Sequence, residues 1–129
     1  MEKTQILGAF NDHFTQFVAD IQIVFPENSD IATFQTAIKT LRKANPRLLI
    51  TAFKDHVSGI YRTEIEKGNI GFFIDTDYKS YLAQKGIQPS NNIIEKIDCL
   101  REPVRNMNVS DQQKVIKYLQ NLTKLSDMY

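Results

Sequence analysis

The chain has 129 residues, with 16 Lys and Arg against 15 Asp and Glu, a net charge of +1 and 42% hydrophobic residues. That balance excludes a globally disordered chain, and net charge alone steers the protein to no partner. The length fits one domain over 1–129 that stabilises itself through a core, and one cysteine, Cys99, excludes an internal disulfide and any multi-cysteine zinc site.

Charge is unevenly spread. Residues 1–38 hold five acids (Glu2, Asp12, Asp20, Glu27, Asp30) and one base, Lys3. Residues 39–129 hold fifteen bases and ten acids, so the first third is acidic. The start, Met1-Glu-Lys-Thr-Gln, has neither a basic segment nor a long apolar stretch, so no signal peptide is expected. No apolar run approaches the ~20 residues of a membrane span, and no membrane partner is expected.

In chain order, Leu7, Phe10, Phe14, Phe17, Ile21 and Val24 recur at spacings of three and four, the stripe of an amphipathic helix. Thr4 is its candidate N-cap and Pro26 stops it. The same spacing suits a coiled-coil seam, but fewer than three heptads are present, which favours a buried face over a partner helix. Asn28, Ser29 and Asp30 then supply start signals for a second helix reaching about Lys43. Ile31, Phe34, Ile38 and Leu41 face inward in it, with Lys39, Arg42 and Lys43 on the opposite side.

Ala44-Asn45-Pro46 opens a third helix carrying Leu49, Phe53, Val57, Ile60, Tyr61 and Ile65. Gly59 predicts a kink in it and Gly68 its C-terminal cap. Residues 69–74 are the one stretch without helical signals; their aromatic and β-branched content allows a short extended segment, but a lone strand has no evident mate, so they read as a buried connector that pins helices together. Asp75 or Thr76 caps a short helix with Tyr78 and Leu82, ending near Gly86. Pro89 and Ser90 open another, with Ile93, Ile94, Ile97 and Leu100 inward and Pro103 ending or kinking it. Ser110 and Gln113 fit a capping box for a last helix carrying Val115, Ile116, Leu119, Leu122 and Leu125, with Lys114, Lys117 and Lys124 outward. The expectation is an all-α fold, a single compact bundle of about five to six helices.

Chemistry is sparse. The five glycines are scattered, so no phosphate-cradling loop can be written, and no Gly-x-Ser-x-Gly elbow occurs. Cys99 lies beside an apolar face and reads as a buried, inert thiol. His13 and His56 each follow an aspartate. Neighbouring side chains on a helix point about 100° apart, so neither pair converges on a metal. No catalytic, cofactor-binding or metal-ligating residue is expected. One basic cluster stands out: Lys39, Arg42, Lys43 and Arg47, around a helix junction whose backbone donors would add to a phosphate site. The aromatic-rich first helix and Phe72-Phe73 make Phe14, Phe17, Ile21, Phe72 and Phe73 the candidates for a protein interface.

Phe14-Thr-Gln-Phe-Val-Ala-Asp-Ile-Gln-Ile-Val-Phe-Pro-Glu-Asn resembles the opening of a small protein family of large nucleocytoplasmic DNA viruses of algae and amoebae. Arg42-Lys-Ala-Asn-Pro-Arg, Glu66-Lys-Gly-Asn-Ile-Gly-Phe-Phe-Ile, Asp77-Tyr and Lys117-Tyr-Leu-Gln-Asn-Leu fit the same pattern, which spans most of the chain. The resemblance implies a viral protein acting in the host cytoplasm or nucleus, or in the virion, and carries over no catalytic residue. The expected function is therefore a non-enzymatic protein that binds a partner protein or its own copy. Helical nucleic-acid binding through Lys39, Arg42, Lys43 and Arg47 is the alternative, and an enzyme without a motif comes third.

Overall fold

A computed structural model of the chain describes residues 2–75 and 99–129, apart from the side chains of His56, Ile60 and Asp75. The helices expected around Tyr78 and Leu82 and around Ile93, Ile94 and Ile97 fall outside those residues. The described residues form seven α-helices and one π-helical turn, with no strand among them. They are α1 (Lys3–Val24), α2 (Ser29–Ala44), α3 (Leu48–Phe53), the π-turn (Lys54–Ser58), α4 (Gly59–Glu66), α5 (Gly71–Asp75), α6 (Arg101–Arg105) and α7 (Val109–Met128). The fold is all-α and compact.

The long α1 forms the spine, packed against α2 on one side and α7 on another. Its stripe is offset from the expected one. Ile6, Phe10, Phe14, Phe17, Val18 and Ile21 are buried, Leu7 is half-buried and Val24 turns outward. A 3.6-residue period drifts against a strict three-four repeat, so the ends of the stripe rotate out of the core. Phe14 meets Phe34 edge-on at 6.0 Å, and Phe10 meets Phe53 at 5.5 Å. Fully burying each such ring is worth about 1.5–3 kcal/mol.

The caps follow the rule of matched donors, though not always at the expected residue. Glu2, not Thr4, begins α1: its side chain and that of Gln5 form a reciprocal capping box. Asn28 caps α2 by accepting from the Ile31 N–H at 3.1 Å. Asn108, not Ser110, caps α7, accepting from the Asp111 N–H at 2.8 Å. Ser110 lies inside that helix.

A π-turn over Lys54–Ser58 divides the third helix into α3 and α4, and the kink expected at Gly59 falls two residues later, at Tyr61 (φ −108°, ψ 20°). At Gly68, φ of +74° provides the left-handed cap. The stretch 69–74 is corrected: it is not extended, because Asn69 Oδ1 accepts from the Gly71 N–H at 3.0 Å and starts the short α5. Its aromatic content serves packing, with Phe72 stacked on Tyr61 at 5.1 Å and Phe73 in the core. Pro103 occupies the first turn of α6, where no N–H is needed. Cys99 is half-buried against the core rather than fully enclosed.

Candidate functional site

The residues proposed for a protein interface are mostly core residues. Phe14, Phe17 and Ile21 are at most 2% exposed, Phe73 is 1% and Phe72 is 9%. Their spacing is that of an inward face, and burial of that face against α2, α3 and α7 uses them up. Phe17 and Ile21 also reach a surface feature, a half-open groove where the C-terminal half of α1 meets the N-terminal half of α7.

That groove encloses about 280 Å³. Its apolar lining comes from Phe17, Ile21, Ile23 and Val24 of α1, Met107 before α7, and Val115 of α7. Asp20, Asp111, Lys114 and Tyr118 provide the polar edge. The geometry explains the exposed residues around it. Beyond Ile21 the α1 residues leave the core face, so Ile23 is 74% exposed and Val24 41%. Val109, 70% exposed, falls in the chain between the lining residues Met107 and Asp111. Two of the four large exposed apolar residues among the described ones, Ile23 and Val24, therefore line the groove; Val109 begins α7 and Met128 ends it.

A polar knot sits on the groove's inner edge. The Tyr118 hydroxyl donates to Asp20 Oδ2, and Gln16 Nε2 donates to Asp20 Oδ1 at 2.8 Å. The Tyr118 ring lies 5.4 Å from Phe17 and 4.8 Å from His13. Burial, then the hydrogen bond to Asp20 and that carboxylate's charge, push the phenol up to about 12. Burial lowers His13. Beyond the knot lies a second, shallower recess of about 300 Å³, lined by His13, Asp20, Lys114, Lys117, Tyr118 and Asn121. The two recesses share Asp20, Lys114 and Tyr118.

The basic cluster is divided by the fold. Arg42 Nη1 pairs with Asp12 Oδ1 at 2.8 Å, which joins the basic side of α2 to the acidic α1. Lys39, Lys43 and Arg47 are exposed, and Lys39 and Lys43 border a shallow depression with Thr40 and Ala44. Asn11 Nδ2 donates to the Pro46 carbonyl at 3.0 Å, fixing this corner onto α1. No set of three or more His, Cys, Asp or Glu side chains is placed to hold a metal among the described residues. No helix among them is long and apolar enough to cross a membrane.

Sequence reasoning missed the groove because its parts come from two helices more than eighty residues apart. A signal was present in Ile23, an apolar residue that falls off the stripe's period just before Pro26. No family model, curated protein or solved structure matches the chain significantly.

Proposed function

We propose that this protein is a non-enzymatic interaction module that docks a partner protein in the groove between α1 and α7. The observation that carries this reading is that two exposed apolar residues, Ile23 and Val24, line one half-open groove together with Phe17, Ile21, Met107 and Val115. Exposed apolar residues scattered singly need no explanation, whereas a cluster with a cleft marks a contact surface. The polar knot fits a binding edge better than a catalytic one. Tyr118 holds its proton to about 12, far above the neutral range in which a general acid or base works. The viral resemblance adds a setting to this proposal, a host cell or a virion, without selecting the partner.

The test is the substitution Ile23→Asp. Ile23 is exposed, so the fold should keep its urea midpoint while self-association by light scattering, or capture of a protein partner, is lost. A chain that is strictly monomeric and captures no protein, with or without the substitution, contradicts the proposal.

A second reading rests on Lys39, Lys43 and Arg47, exposed cations for which no acidic partner occurs among the described residues. Three such cations would support weak, sequence-independent binding to nucleic acid, with a log–log salt slope of roughly 3 or less. Charge reversal at Lys39 and Lys43 should abolish that binding. The absence of any affinity for DNA or RNA at low salt removes this reading.

A further inference from the structure

The groove and the shallower recess beside it are two halves of one seam, and the halves differ in chemistry. The first is apolar, formed by Phe17, Ile21, Ile23, Val24, Met107 and Val115. The second is edged by Lys114 and Lys117, which stand one turn apart on α7, together with the His13 imidazole and the Asn121 amide. They meet at the shared Tyr118, Asp20 and Lys114.

In the second recess two lysines, Lys114 and Lys117, face one acid, Asp20. Asp20 accepts from both Tyr118 and Gln16. Asp111 lies 3.9 Å from Lys114, at the outer limit of an ion pair. Lys117 is exposed and has no acidic partner among the described residues. A ligand entering the seam therefore meets an apolar cleft first, then a pair of lysines of which at most one is weakly compensated. A carboxylate placed between Lys114 and Lys117 would gain charge-assisted hydrogen bonds that a lysine or arginine could not make there.

We infer that the seam selects a partner segment in which a bulky apolar residue, seated in the groove, stands next to one or two carboxylates that reach Lys114 and Lys117. This rests on the docking role proposed for the groove and adds the partner's chemistry. A cavity of about 280 Å³ is larger than the ~150 Å³ that holds a benzene-sized group, so one aromatic or branched aliphatic side chain fits. The apolar anchor supplies affinity, and the lysine pair supplies selectivity and register.

The experiment titrates the full 15N-labelled chain with three synthetic peptides sharing a central Phe, flanked respectively by Glu, Lys or Ser. Phosphatidylglycerol vesicles form a fourth arm. The expected result is that the Glu peptide binds best and shifts the amides of Ile23, Val24, Lys114 and Lys117 together. The double substitution Lys114→Gln and Lys117→Gln should weaken the Glu peptide by roughly tenfold and leave the Ser peptide unchanged. Both lysines are exposed, so the variant should fold like the parent.

Equal or tighter binding of the Lys peptide, or indifference of the Glu peptide to the double substitution, overturns the inference. Shifts at the groove from the Ser peptide alone also overturn it, while leaving the docking role of the groove intact. Binding to the vesicles without binding to any peptide overturns it in favour of a lipid surface. If no probe perturbs the groove, the inference falls, and Ile23→Asp decides the docking role separately.

Discussion

Gly59 sits where a methyl group has no room: a Cβ there would lie 2.5 Å from the backbone oxygen of Lys54, across the π-turn. The oxygen belongs to the main chain and cannot swing aside. Gly59→Ala should therefore destabilise the fold by about 1–3 kcal/mol, the scale of an overpacked core. Gly8 is the control. Nothing lies within 4 Å of its Cβ position inside α1, so Gly8→Ala should stabilise by about 0.5–1 kcal/mol. Urea unfolding of the two variants checks both signs. Tyr118 gives a second expectation at this scale. Its proton is held more tightly in the folded chain than at the ordinary value of 10.0, so its contribution is fully present below pH 10 and is lost as pH rises through about 12. Ultraviolet titration should show one phenol ionising late, and Tyr118→Phe should remove it. For His13 the sign reverses. Burial lowers it below 6.5, so the folded state resists its protonation and stability falls as the solution is acidified through that value.

At the scale of elements, capping carries the clearest test. Asn108 accepts from the Asp111 N–H at the start of α7, whereas Ser110 lies inside the helix. Asn108→Ala should cost about 0.5–2 kcal/mol and Ser110→Ala far less, measured by thermal or urea unfolding. The helices were legible in the sequence because long amphipathic stripes dominate local choice. Phe10, Phe14, Phe17 and Ile21, then Ile31, Phe34 and Ile38, then Val115, Leu119 and Leu122 are buried as their spacing predicts. Boundaries were harder. Asn, Asp and Ser compete for the cap position, and backbone geometry decides between Asn108 and Ser110 or between Glu2 and Thr4. In the segment 69–74 the buried connector was legible and its conformation was not. Phe72 and Phe73 favour strands on an open surface, but with no strand among the described residues they pack on Tyr61 and the core from a short helix.

At the scale of the molecule, the acidic first third and the basic remainder partly meet each other. Arg42 pairs with Asp12, and Tyr118 donates to Asp20. The sequence asymmetry is thus spent in part on joining α1 to α2 and α7. Two surface features remain beside these pairings, the cations Lys39, Lys43 and Arg47 and the groove between α1 and α7. The second was not legible in sequence, because a groove exists only once α1 and α7 are packed side by side. The account's central claim is that this groove is where a partner protein docks. Photo-crosslinking tests it most directly, with benzoylphenylalanine placed either at Ile23, 74% exposed beside the groove, or at Met128, 53% exposed at the far end of α7. Both sites are exposed and apolar, so the comparison separates position from hydrophobicity. The account predicts a discrete protein adduct from Ile23 and little or none from Met128; equal adducts from both, or an adduct from Met128 alone, would contradict it.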